Sequence, residues 1–206
     1  MKRILPPSRP RRNEDKIKSI LRAYGLDKTD KPVLVFVRGY YLDTMGVTGQ
    51  DDRNIYDDAA FLYWPNGGAV ESFNANTNPS FIKRNGRSLA QLNLGSYRFY
   101  KGLHKGKYSA LRSYPEGVVL DCTREGKPST CSHINIHKGS TKTEAEDVVW
   151  SEGCLTIPDT QYLDFITRVY DSMTKAMIKV IEVVLVENRA TNNGQAIFDH
   201  NGRIIR

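Results

Sequence analysis

Short apolar blocks separated by turn residues dominate this chain, and they predict strands. Val33 to Val37 is a nearly continuous apolar run, the pattern of a strand buried on both faces. Ala60 to Trp64 and Ala69 to Asn74 flank Pro65-Asn66-Gly67-Gly68, which is a hairpin signal. Phe61 is assigned to the core, while Tyr63 and Trp64 suit either a core or a groove. From Leu94 to Tyr100, Gly95, Tyr97 and Phe99 alternate with Ser96, Arg98 and Tyr100, as in a strand with two different faces. A basic loop, Lys101 to Tyr108, follows. Gly117 to Asp121 and Ser132 to His137 read as paired strands around Cys122 to Cys131. Ile178 to Val186 is the most β-branched run and reads as a closing strand.

Helical spacing occurs twice. Asn13 is placed to cap a helix with Glu14 and Asp15 in its first turn. Ile17, Ile20, Leu21 and Tyr24 recur on one face, and Gly25 can end the helix. A longer helix begins at Pro158-Asp159-Thr160, with Leu163, Phe165, Ile166, Val169, Tyr170, Met173 and Met177 as its apolar stripe. About eight strands and two helices predict a mainly β architecture, a sandwich or partly closed barrel.

The remaining segments read as connections. Met1 to Arg12 holds three prolines and five Lys/Arg residues, so it is expected to be a loose basic arm. Gly39, Gly46 and Gly49 punctuate a loop. Asp43, Asp51, Asp52, Asp57 and Asp58 lie in and after it, at spacings that do not match a calcium-binding loop. A solvated acidic segment is expected there. Asn192-Asn193-Gly194 and Asn201-Gly202 mark turns in a C-terminal tail.

Composition adds little to the fold and more to the partners. The 206 residues suit one domain with small additions. A net charge of +7 favours polyanions, among them nucleic acid and anionic cell walls. No nucleic-acid-binding motif accompanies the charge, so nucleic acid is the less favoured partner. No apolar run is long enough to span a bilayer, and no membrane partner is expected. The N-terminus shows no secretory signal pattern, which predicts synthesis in the cytoplasm and free thiols at Cys122 and Cys131.

The candidate chemistry lies between Ser132 and Ile157. As a strand, Ser132 to His137 points Ile134 and Ile136 one way and His133, Asn135 and His137 the other. Cys154 follows glycine in Ser151-Glu152-Gly153-Cys154, seventeen residues after His137. A thiol attacks as thiolate, and a nearby imidazole can take its proton and return it to a leaving amine. Gly153 lets backbone approach a substrate carbonyl, and the N–H groups of Gly153 and Cys154 can face an oxyanion. The plain alternative is a buried cysteine beside a core histidine.

The pattern Ile134-x-Ile136-His137-x-Gly139, a loop, then Ser151-x-Gly153-Cys154 resembles the active-site signature of the L,D-transpeptidase (YkuD-like) family, in a divergent phage or bacterial form. The resemblance runs from about Leu94 to Ile157. It implies an L,D-transpeptidase-like β fold, with residues 31–190 as catalytic domain, 1–30 as basic arm and short helix, and 191–206 as tail. It implies Cys154 as nucleophile, His137 as base, and Ser151 and Gly153 in the turn. No cofactor or metal is required. The substrate implied is a peptidoglycan stem peptide, cut or transferred through an acyl-enzyme. Gly95-x-Tyr97 followed by Gly102-x-His104 is similar to an arrangement in relatives of this type, which makes Tyr97 and His104 candidate substrate contacts, with His133 and Glu152. Two positions depart from the family: Glu152 stands where it usually has histidine, and Thr156 where it usually has arginine. A phage lysin or injected antibacterial effector acting in the periplasm or wall fits these expectations. The alternatives are a non-catalytic wall- or nucleic-acid-binding module, or a zinc protein using Cys122, Cys131, His133 and His137. On a strand those two histidines stand roughly 13 Å apart, too far for one ion.

Overall fold

The computed structural model describes residues 3–65, 69–142 and 149–205. The turn of the first predicted hairpin and the acidic loop at 143–148 lie outside them. The principal sheet begins with β1 (Val33–Arg38), β2 (Asp58–Trp64) and β3 (Ala69–Ala75), paired antiparallel in that order. Three two-residue strands follow: β4 (Lys83–Arg84), β5 (Arg87–Ser88) and β6 (Gln91–Leu92). Then come β7 (Gly95–His104), β8 (Tyr108–Ser113), β9 (Leu120–Arg124), β10 (Lys127–Cys131), β11 (Asn135–Gly139) and β12 (Leu155–Pro158). The chain ends with β13 (Val180–Thr191), β14 (Gly194–Phe198) and β15 (Ile204–Ile205). The two helices are α1 (Glu14–Arg22) and α2 (Asp159–Lys175).

The sheet runs β12-β11-β8-β7-β13-β1-β2-β3, and its two ends meet at a bridge between Asn76 and Thr156. The result is a nearly closed barrel, so the mainly β expectation holds. Strand β1 shows why the sequence is apolar without alternation. Leu34 and Phe36 enter one core, with Phe99, Leu155 and the α2 residues Phe165 and Val169. Val33, Val35 and Val37 enter a second core beneath α1, with Ile17, Ile20 and Leu21. A strand covered on both faces must be apolar at every position. Asn13 caps α1 by accepting the Lys16 N–H at 3.0 Å, as its position predicts.

Several expectations are corrected. The basic arm is a strap along the barrel. Ile4 O accepts the Tyr56 N–H at 2.8 Å, Ser8 O accepts the Tyr41 hydroxyl at 3.1 Å, and Arg9 pairs with Asp164 at 2.8 Å while lying over the Phe73 ring. Its contacts are backbone and cationic, so apolar periodicity does not report them. The predicted tail continues the sheet: β14 pairs with β13 and β15 with β14, and Ile197 is buried in the second core. Strand β7 runs on to His104, shortening the basic loop to 105–107. Strand β9 pairs with β10, and β11 pairs with β8 instead. Along α2 the buried face is Tyr162, Phe165, Ile166, Val169 and Met173, while Leu163 is exposed and Met177 lies exposed in the turn beyond the helix.

The acidic segment is not solvated throughout. Asp57 and Asp58 are fully buried. Asp58 accepts the Gly39 N–H at 2.5 Å and the Thr77 N–H at 2.6 Å, tying the start of β2 to the segment after β3. Burial first, and neighbouring carboxylates second, hold the pKa of both groups well above the ordinary carboxylate range.

Candidate active site

Strands β11 and β12 build the centre. They pair in parallel, Ile136 opposite Leu155 and His137 opposite Thr156. That register sets Asn135 beside Cys154, and the Asn135 N–H donates to Cys154 Sγ at 3.4 Å. The strand starts three residues later than predicted, because His133 sits at φ 57°, outside the extended region. Ile134 still turns into the core, and His137 faces the cleft although only 3% of its surface is exposed.

The turn before Cys154 is held by Ser151. Its hydroxyl donates to Cys154 O at 2.6 Å and accepts the Gly153 N–H at 3.1 Å. Gly153 adopts φ 141°, and a Cβ there would stand 2.6 Å from Ala90 O. Only glycine fits both constraints. The Gly153 N–H is engaged by Ser151, which removes it from the expected oxyanion role. Segment 76–80 supports the turn from behind: Asn76 and Thr156 exchange backbone hydrogen bonds, the Ser80 N–H donates to Ser151 O, and the Ser151 N–H donates to Ser80 Oγ.

The cleft in front of Cys154 has a volume of about 770 Å³. His137, His104, Asn135, His133, Glu152 and Trp150 all line it. The His137 and His104 rings stack with centroids 4.1 Å apart. Nδ1 of His137 lies 2.8 Å from Lys138 O. A carbonyl oxygen only accepts, so Nδ1 carries the proton and Nε2 holds the lone pair. The Asn135 amide donates to His104 Nδ1 at 3.1 Å, while its Oδ1 is buried without a hydrogen-bond partner among the described residues. Burial, then the His104 ring, lowers the His137 pKa to about 4. Burial raises the Cys154 thiol to about 11, opposed in part by the Asn135 N–H and Lys105. Both groups are therefore neutral at pH 7.

The rim is basic. The turn after β7, with Lys105 and Gly106 both at positive φ, places Lys105 and Lys107 at the cleft, and Arg84, Arg112 and Lys138 also line it. Glu152 is exposed and stands 3.9 Å from Arg84, a rim ion pair of little energetic weight. Glu152 thus sits at the rim of the cleft, with Arg84 as its ion-pair partner.

No family model, no curated protein and no solved structure matches this chain.

Among the residues singled out from sequence, Cys154, His137, His104, His133 and Glu152 share the cleft. Ser151 and Gly153 shape it from below. Tyr97 does not belong: its hydroxyl donates to Asn93 O at 2.6 Å, and its ring lines a separate depression with Arg38, Leu120 and His200. Strand alternation sends it away from the face His104 reaches. Thr156 is fully buried at the barrel seam, where an arginine side chain has no room. Cys122 and Cys131 are free, buried thiols of the main core. Among the described residues, the only donors gathered closely enough for a metal are Asp51, Asp57 and Asp58, not the proposed cysteine and histidine set. Asn135, Lys105 and Trp150 were not singled out from sequence. Asn135 alone carried a signal, since it lies on the same strand face as the histidines.

Proposed function

We propose that this protein is a cysteine acyl-transfer enzyme that acts on peptidoglycan stem peptides. What carries this reading is the pairing, in one cleft, of the Cys154 thiol with an imidazole whose Nε2 is free to take a proton. As Sγ attacks the scissile carbonyl carbon, His137 Nε2 removes the thiol proton. The C–N bond then breaks, the amine leaves with that proton, and a thioester remains on Cys154. Water or a second amine next attacks the thioester, gives its proton to His137 and restores the thiol. The Cys154 N–H is the turn's donor for the oxyanion, since that of Gly153 is engaged. Asn135 Oδ1 accepts a substrate N–H, which would satisfy a buried acceptor.

The basic rim takes over the role of the arginine that the family usually carries at the position of Thr156. Lys105, Lys107, Arg112 and Lys138 suit the carboxylates of a stem peptide. The test is incubation with purified peptidoglycan, followed by mass spectrometry of the peptides. New fragments or new cross-links are expected with the natural chain and not with Cys154→Ala. An unchanged peptide profile with the natural chain would refute the reading.

A further inference from the structure

We propose that Asp51, Asp57 and Asp58 bind one calcium ion behind the catalytic turn. Each carboxylate contributes an oxygen, and the three oxygens lie within 4.8 Å of one another. Opposite ligands of a calcium ion, at about 2.3–2.6 Å each, stand about 4.6–5.2 Å apart, so the three fit inside one calcium shell. Magnesium usually keeps several waters and is seldom held in an all-protein cage, which favours calcium among the hard cations. An all-oxygen donor set selects a hard cation over zinc or copper.

A second observation points to a missing ligand. Asp57 is fully buried; its Oδ2 accepts the Asp52 N–H at 2.7 Å, but its Oδ1 has no hydrogen-bond partner among the described residues. Asp51 repeats the pattern, with Oδ2 taken by the Asn78 amide at 2.8 Å and Oδ1 buried without a partner. Two orphan carboxylate oxygens in one cluster are costly unless something positive meets them. Among the described residues only Arg38 comes within ion-pair range of the three, 4.0 Å from Asp51. With all three carboxylates ionised, one guanidinium would leave an excess of two negative charges, which the charge of one calcium ion would match. Asp51 retains 18% side-chain exposure and gives the ion a path from solvent.

The position gives the ion a task. Asp58 holds the Thr77 N–H and Asp51 holds the Asn78 amide. Both belong to the segment whose Asn76 and Ser80 grip Thr156 and Ser151. A bound ion would fix this segment, and through it the turn that carries Cys154.

The experiment is calorimetric titration of the EDTA-treated full chain with calcium chloride, with thermal melts in calcium, in magnesium and in EDTA. One calcium per chain is expected, with a melting point raised by roughly 5–10 °C at a hundredfold excess over Kd. Asp57→Asn, of the same shape, should abolish both effects; Asp51→Asn serves if that variant does not fold. Absence of binding by the natural chain overturns the proposal, and a higher melting point for Asp57→Asn in EDTA would then mark a shared proton instead. Calcium binding that survives both variants overturns the location, and tighter binding of magnesium overturns the ion. No readout depends on catalysis, so the result is separable from the reading of Cys154.

Discussion

At the scale of single residues, the centre is a neutral pair. On the proposed acyl-transfer reading, replacing Cys154 with alanine or serine should reduce processing of wall peptides by about 10⁴-fold or more and leave the fold intact, as turnover assays and circular dichroism would show. Cys122→Ser should leave turnover within a few-fold, because that thiol faces the core. Iodoacetamide should label Cys154 slowly at pH 7, and the rate should climb with pH toward about 11. The imidazole has the opposite sign. His137 is held neutral down to about pH 4, against 6.5 in an unfolded chain. Between those values the unfolded state binds a proton that the folded state does not, so stability falls as pH drops through this window. The full loss is on the order of 3 kcal/mol, and His137→Gln should flatten that part of a denaturation-versus-pH curve.

Residue chemistry was readable to the extent that strand alternation carries it. The face shared by Asn135 and His137 follows from period two, and the Gly153-Cys154 turn from its glycine, while His133 reaches the same cleft from outside the strand. The acidic cluster was not readable. Buried carboxylates look like solvated ones in a sequence, and their burial here depends on Arg38 and on backbone N–H groups distant in the chain.

At the scale of elements, the seam between β3 and β12 matters most. Asn76 and Thr156 close it, and Thr156 is fully buried there. Restoring the arginine of the resembled family by Thr156→Arg should therefore destabilise the fold by about 3 kcal/mol or more, measured by urea denaturation, and should not improve turnover. The strap formed by residues 3–12 gives a second expectation. Its removal uncovers Phe73 and the Tyr40–Tyr41 pair and breaks the Arg9–Asp164 link to α2. A chain starting at Asn13 should melt several degrees lower, with α1 still formed because its cap is retained. Strong apolar patterns foretold β1, β13 and α2. The strap and the β14–β15 pair were not foretold, because the strap docks through backbone and cation contacts that leave no periodic trace, and β14 and β15 are short strands among turn residues that bring only Ile197 and Ile205 to the second core.

At the scale of the whole molecule, two cores share one sheet, and the strands between them are apolar on both faces. Phe165 illustrates how the parts depend on each other. It comes from α2, packs edge-on against Phe73 of β3 at 5.2 Å, and lies in the core that also holds Leu155 beside Cys154. Phe165→Ala should cost about 3–5 kcal/mol and reduce turnover as the turn loosens, read by denaturation and kinetics on the same preparation. About eight strands were expected and the described residues form fifteen, but the mainly β class and the position of α2 came through from sequence. The order of strands did not, since pairing partners lie far apart in the chain.

The parallel pairing of β1 with β13 has a consequence for synthesis. Val33 emerges from the ribosome roughly 150 residues before its partner Glu182. At about 5–20 residues per second, β1 waits on the order of 8–30 s with the edge that β13 covers unpaired. A nascent chain arrested before Val180 should be open to proteases along Val33–Arg38 and should bind a holdase chaperone. Protection should arrive only when β13 has cleared the exit tunnel.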